Sequence, residues 1–304
     1  MTTAAYTYPK FKKLGLADRD LFRKITSKYP PYSDFNFTSL WAYNKGDFCE
    51  FSILNGNLVI KYKDYITDEP FFSFLGKNKV TETIHELMSM SGRHGFSPKL
   101  KLVPEINLAE NAIVKNRFTV LEDIDSFDYI ISADKLAKLE GTAFHSYRKE
   151  IKNFLAKHPS THVKRIDIAD KDVQKEIMEI FKTWAKQKGI TDAENDNELL
   201  ATQKLLSAGD TLDTISYGLY VNGKLISYCI SEFIHQNYVM GHFKKADKNY
   251  VGAYRYISHI TAKEFKNKGF DYINYEQDLG IAGLKTSKAL AHPVHFLKKY
   301  IISR

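Results

Sequence analysis

Two asparagine–glycine pairs, about half a chain apart, constrain what this sequence can fold into. CEFSILNGNLVIKYK (Cys49 to Lys63) alternates apolar and polar residues on either side of Asn55-Gly56. YGLYVNGKLISYCI (Tyr217 to Ile230) repeats the pattern around Asn222-Gly223. Asn-Gly accepts positive φ at both central positions of a tight turn, so each stretch predicts a β-hairpin. The segments that follow also correspond. PFFSFLG reads as a strand, VTETIHELMSMSGRHG as a helix and KLKLVPE as a strand. After the second hairpin, NYVMGHF, VGAYRYISHITAKEFKNKG and FDYINYEQ repeat strand, helix, strand. Identity between the copies is low, so the duplication is one of architecture.

Both helices run into a glycine, Gly95 and Gly269, the residue suited to a left-handed C-terminal cap. Between the copies, DKLAKLEGTAFHSYRKEIKNFLAKH reads as one long amphipathic helix with Leu136, Leu139, Ala143, Tyr147, Ile151 and Phe154 on its apolar stripe. Pro159 marks the boundary, which predicts domains over residues 1–160 and 161–304. Ser33 or Asp34 is the expected N-cap of a short helix that packs Phe37, Leu40 and Trp41 inward.

A hydrophobic content of 43% supports a sizeable core, and a net charge of +8 favours anionic partners such as RNA, acidic lipid or a phosphate-bearing cofactor. Cys49 and Cys229 lie in apolar strands and are expected as buried, reduced thiols. The start, MTTAAYTYPKFKKLG, lacks the apolar core of a signal peptide, and no apolar run is long enough to span a bilayer. The expectation is a soluble cytoplasmic protein with no transmembrane segment.

The chemistry concentrates in NYEQDLGIAGLKTSK (Asn274 to Lys288). If Tyr272 to Gln277 is a strand, Asn274 and Glu276 share a face, and Asp278 follows on it. Gly280 and Gly283 permit tight backbone whose amides, with Lys285 and Lys288, suit phosphate or an oxyanion. Glu276 or Asp278 then accepts a proton from an attacking group. A salt-bridged turn uses the same residues. The run is no P-loop, because Leu284 separates Gly283 from Lys285. His242, at the end of NYVMGHF, is a candidate base or a satisfied core histidine. The acidic run Glu122, Asp123, Asp125 and Asp128 suits either a helix N-terminus or a groove. Arg148, Lys149 and Lys152 form a basic cluster suited to RNA phosphates or to plain solvation. His292 and His295 lack a nearby carboxylate signature, so no metal site is expected.

Hairpin, strand, helix, strand is the core of the GNAT-like N-acyltransferase fold. The stretches YSDFNFTSLWAY, LEDIDSFDYI, FHSYRKEIKNF and GHFKKAD, with the LKKY tail, resemble the soluble C-terminal domain family of phosphatidylglycerol lysyltransferase. The likeness runs from about Tyr32 to Tyr300. It implies an α+β chain of tandem GNAT-like folds, with mixed, mostly antiparallel sheets flanked by helices and the active cleft in the second half. It also implies a transferase that moves an aminoacyl group from aminoacyl-tRNA to an amine or hydroxyl on a small-molecule, peptide or lipid head-group acceptor. CoA-dependent members of the fold carry Gln or Arg, two residues, Gly, one residue, then Gly or Ala before the main helix. Here Asn249 to Tyr254 keeps only Gly252, with no positive charge first and a bulky ring last. Acyl-CoA is therefore the alternative donor, with Gly252 as its contact. A non-catalytic RNA- or protein-binding module on the same scaffold is the second alternative.

Overall fold

A computed structural model describes residues 6–109, 112–189 and 192–304. The first stretch runs β1 (Lys12–Lys13), α1 (Arg19–Thr26), α2 (Phe37–Ala42), β2 (Glu50–Leu54), β3 (Asn57–Lys63), β4 (Pro70–Leu75), α3 (Val80–Arg93), β5 (Leu100–Pro104), α4 (Glu105–Leu108), α5 (Ala112–Arg117) and β6 (Thr119–Glu122). The chain continues through β7 (Asp128–Ser132), α6 (Ala133–Lys138), α7 (His145–Lys157), β8 (Thr161–Ile166), α8 (Lys171–Lys188) and α9 (Asp192–Ala208). It closes with β9 (Thr214–Val221), β10 (Lys224–Ile234), β11 (Tyr238–Ala246), α10 (Ala253–Asn267), β12 (Tyr272–Asn274), α11 (Ala282–Ala289), β13 (His295–Leu297) and β14 (Lys299–Ser303).

Both hairpins form where the Asn-Gly pairs stand. Asn55 and Gly56 have φ of 54° and 80°, and Asn222 and Gly223 have 52° and 79°. The hairpin strands pair antiparallel, whereas β4 runs parallel to β5 and β11 parallel to β12. A parallel pair needs a crossover, and α3 and α10 supply one each. The result is an α+β fold with two mostly antiparallel sheets, ordered β1-β2-β3-β4-β5-β14-β6 and β13-β7-β12-β11-β10-β9-β8.

Two expectations change. The compact units are not 1–160 and 161–304. One comprises Met1–Tyr129, Gln277–Thr286 and Phe296–Arg304; the other comprises Ile130–Glu276 and Ser287–His295. The reason is strand exchange between the sequence halves. The last strand, β14, pairs with β5 and β6, while β7 pairs with β12. The long helix is also two helices. Leu139 (φ 55°) and Gly141 (φ 80°) break it into α6 and α7, and the Arg148 guanidinium donates to both carbonyls, to Gly141 at 2.8 Å.

Each unit has its own core. Val59, Phe72, Phe74, Ile84, Leu87 and Ile302 are buried in the first. Tyr147, Ile151, Val239, Ala262, Phe265 and Ile273 are buried in the second. Each valine, leucine, isoleucine or phenylalanine among them contributes about 1.5–3 kcal/mol on leaving water. Cys49 and Cys229 are buried free thiols. No described helix is long and apolar enough to cross a membrane.

Candidate functional site

In the second unit, β11 is longer than the strand expected from NYVMGHF. It runs on to Ala246, so His242 lies inside it rather than at its end. Its pairing with β10 slips: Ile230 faces Phe243 and Ser231 faces Gly241, leaving His242 as the extra residue of a β-bulge. A bulge re-aims a side chain and is over-represented beside active sites. On the other edge, β12 pairs with β11 only from Tyr238 to Met240. The pairing stops there because β12 itself ends at Asn274.

The bulge presents His242 to two carboxylates. Nε2 lies 3.3 Å from Glu232 Oε2, and Nδ1 lies 3.4 Å from Glu276 Oε1. The histidine and Glu232 side chains are buried, whereas Glu276 remains 18% exposed. Burial by itself would lower the imidazole pKa. Hydrogen bonding and charge from Glu232 and Glu276 outweigh it and raise the value to about 9. His242 is therefore an imidazolium at neutral pH, and the basic atoms of the site are carboxylate oxygens.

Glu276 is not on a strand. β12 stops at Asn274, whose Oδ1 accepts the Glu276 N–H at 2.7 Å, and Glu276 takes φ 57°. A left-handed glutamate costs about 1–2 kcal/mol and persists only where its surroundings enforce it, which is common at functional sites. Glu232 escaped the sequence reading. The signal available was an acid inside an apolar strand, YCISEFI.

A raised histidine pKa is also a statement about stability. His242 binds its proton more tightly folded (about 9) than at the ordinary 6.5. Its stabilisation is complete below the ordinary value and is lost as pH rises through the folded one. Urea unfolding from below pH 6.5 to above pH 9 should show a loss of about 3 kcal/mol that is absent in His242→Gln.

The start of α10 bears on the acyl-CoA alternative. Gly252 has φ 97°, and a Cβ there would lie 2.7 Å from the Glu150 carbonyl oxygen and 2.9 Å from Phe154 Cβ. Helix α7 thus fills the space against Gly252, where a pyrophosphate needs close backbone approach. Tyr254, the residue suspected of blocking it, points elsewhere and is 36% exposed. The first turn of α10 is tied to α7 by Arg255, whose Nε lies 3.0 Å from Glu150 and whose Nη1 donates to Ser146 at 3.0 Å. Gly252→Ala should lower stability by about 2–4 kcal/mol in thermal unfolding. Gly269→Ala, equally left-handed but with open space around it, should cost about 1–2 kcal/mol.

The remaining candidates divide between the units, with Asp278, Gly280, Gly283 and Lys285 in the first. Asp278 is buried; its Oδ2 accepts from the Tyr129 hydroxyl at 2.5 Å and its Oδ1 from the Gly280 N–H at 2.8 Å. It shapes the turn. Gly280 (φ 72°) abuts the Asp125 carboxylate, 3.0 Å from where a Cβ would sit, and Lys285 Nζ lies 3.6 Å from Asp125. The supposed anion cradle therefore already faces a carboxylate of the chain itself. Gly283 is an exposed helical residue of α11, which also carries Lys285 and Lys288. Lys149 and Lys152 are exposed on α7. His292 and His295 go separate ways, to the Ala143 carbonyl and the Tyr238 hydroxyl.

A second charged cluster was not anticipated. Lys299, 1% exposed, donates to Asp128 Oδ1 at 2.7 Å, Gln277 Oε1 at 2.8 Å and Ser33 Oγ at 3.2 Å, and is ion-paired with Asp34. Asp128 also accepts the Ser33 N–H and hydroxyl at 2.7 and 2.6 Å. Burial pushes the Asp34 carboxyl up to about 6, opposed by Lys299 and assisted by Asp128. Ser33 and Asp34 are thus not helix caps. Asn36 caps α2 instead, accepting the Ser39 N–H at 2.9 Å.

No curated protein matches the chain. Among solved structures, a conserved protein of unknown function from Bacteroides thetaiotaomicron VPI-5482 is similar, with a TM-score of 0.84 and 26% identity over 96% of this chain and 98% of that one. L-PGS from Bacillus licheniformis shares the fold, with a TM-score of 0.61 and 12% identity over 94% and 92% of the two chains. The family model for the C-terminal region of phosphatidylglycerol lysyltransferase matches residues 26–303. With the α+β fold and its two mostly antiparallel sheets in place, the match over nearly the whole chain is decisive: this protein belongs to the phosphatidylglycerol lysyltransferase C-terminal family, a family of transferases.

Proposed function

We propose that this protein moves an aminoacyl group from aminoacyl-tRNA to an amine or hydroxyl acceptor, with Glu276 as the proton-accepting group. The family's description points to lysine as the group moved and phosphatidylglycerol as the acceptor. The observation that carries the reading is His242 on its bulge, clamped between Glu232 and Glu276. It holds a partly exposed carboxylate in a fixed orientation just past the end of β12.

An aminoacyl ester is already activated, so orientation and one proton transfer suffice. The acceptor's nitrogen or oxygen attacks the ester carbonyl carbon and gives its proton to the Glu276 carboxylate. The bond from carbonyl carbon to ribose oxygen then breaks, and the ribose oxygen takes the proton back from Glu276. His242 is a positioning residue. Lys149 and Lys152 on α7 are the exposed cations suited to phosphates of the tRNA. Acyl-CoA is disfavoured because α7 occupies the space against Gly252.

The test supplies labelled lysyl-tRNA and phosphatidylglycerol vesicles, with acetyl-CoA and an amine acceptor in a parallel arm. Label should appear in lipid, and acetyl-CoA should not be consumed. Turnover of acetyl-CoA without loss of the aminoacyl ester would overturn the reading. Hydrolysis of neither donor above the blank would favour a binding module instead.

A further inference from the structure

Several cations that this chain holds partly or wholly out of water are matched by acids. Lys61 lies 2.9 Å from Glu50, Lys101 2.9 Å from Asp64, Arg255 3.0 Å from Glu150, and Lys245 pairs with Glu198. Lys244 on β11, in the second unit, is held differently. Its Nζ donates to Ser258 Oγ at 2.8 Å and to the Tyr275 hydroxyl at 3.2 Å. It sits 4.4 Å from the Tyr254 ring centroid and 4.3 Å from that of Tyr275. Among the described residues no carboxylate lies within ion-pair distance of it.

This is an incomplete arrangement. Taking a charge out of water costs several kcal/mol unless a counter-charge or hydrogen bonds compensate. Two ring faces offset about 0.5–2 kcal/mol each. The ammonium has three N–H groups, and two are used. The Tyr275 hydroxyl accepts from Lys244, which leaves its own proton for an acceptor outside the chain. The Ser258 hydroxyl is spent on the Tyr254 carbonyl at 2.7 Å. Two donors 3.2 Å apart, one of them cationic, thus stand together without an acid partner among the described residues. Lys244 lies on β11 beyond its last pairing with β12, Tyr275 follows the end of β12, and both side chains are partly exposed.

We propose that Lys244 and Tyr275 form a phosphate subsite, with the Tyr254 ring as its wall. A lysine ammonium is a point charge, and beside a single phenol it offers divergent donors. That geometry suits the tetrahedral oxygens of a phosphate, whereas planar carboxylates are met better by an arginine fork. The subsite is independent of the transfer chemistry assigned to Glu276, because binding alone reports on it.

Calorimetric titration tests it, with inorganic phosphate, glycerol 3-phosphate and adenosine 5′-monophosphate as probes and acetate as the planar control. At least one phosphate should bind the wild type, about tenfold or more tighter than acetate. Lys244→Met should weaken that binding about tenfold or more. Tyr275→Phe, which keeps the ring, should weaken it several-fold, and Lys224→Met on the exposed hairpin end should leave it unchanged. Preference for glycerol 3-phosphate identifies a lipid-type head group as the source, and preference for the nucleotide identifies a nucleic-acid end. Because the lost ammonium has no acid partner, Lys244→Met should melt no lower than the wild type. Failure of every phosphate to bind, equal binding by Lys244→Met, or equal binding of acetate overturns the proposal.

Discussion

Glu276→Gln is expected to slow aminoacyl transfer about 10²- to 10⁴-fold, the range associated with removing a positioned general base. The substitution keeps the size of the side chain and a hydrogen-bond acceptor for His242 Nδ1. It removes the ability to take a proton. The loss should therefore fall on kcat and leave KM near its wild-type value, because no binding contact has been deleted. Glu276→Asp should recover part of the rate, since it retains the base but shortens its reach. His242→Gln should act more weakly and through orientation. It removes the imidazolium that lies between the two carboxylates 3.3 and 3.4 Å away, leaving Glu232 buried beside Glu276 without its cation. A Glu276→Gln enzyme that turns over at the wild-type rate would remove Glu276 from the reaction and return it to a strained turn.

Lys299→Met should lower stability by about 3–5 kcal/mol, the usual result of breaking a buried ion pair from one side. The side chain is 1% exposed and faces Asp34 and Asp128, both equally buried. Without the ammonium, two carboxylates confront each other with no counter-charge. The sign of the pH dependence follows from Asp34. Its folded pKa is raised to about 6 from 3.8, so its protonation favours the fold. That contribution is present below 3.8 and is lost as pH rises through about 6. Removing Lys299 deletes the main opposing influence and moves the window upward. Urea unfolding should therefore show a smaller penalty for Lys299→Met at pH 5 than at pH 8, and Asp34→Asn in the same background should recover part of it. A penalty independent of pH would mean that packing of the lysine stem, not its charge, holds this cluster together.

These two sites differ in how far the sequence disclosed them. Glu276 and His242 were named from strand alternation and from the type of fold that the hairpins suggested. The geometry that joins them was not visible, because the bulge at His242 and the left-handed turn at Glu276 both break the period of two on which alternation rests. Asp278 was chosen as continuing the face of Glu276, and Gly280 and Lys285 as parts of an anion-binding turn, yet Asp278 and Gly280 build a turn around Tyr129 and Asp125. The Lys299 cluster draws on stretches that were each singled out for another reason, YSD, FDY, EQD and LKKY, and nothing local joined them. Gly252 was recognised as the one surviving loop glycine. What stands against it is a helix about a hundred residues earlier in the chain, which no local pattern announces.

What the amino-acid order decided without help is local. Asn-Gly imposed the hairpins through positive φ, apolar periodicity marked the helices, and Gly95, Gly189 and Gly269 ended α3, α8 and α10 in left-handed caps or the residues beside them. Such preferences act within a turn or two of the residue that expresses them. The tertiary structure alone decided which strand lies beside which. It took β14 into the first sheet and β7 into the second, and brought Lys299 to Ser33 across 266 positions and Ser33 to Asp128 across 95. Those outcomes follow from long-range pairing and from the cost of burying charge without a partner, and neither can be evaluated until the distant segments have met.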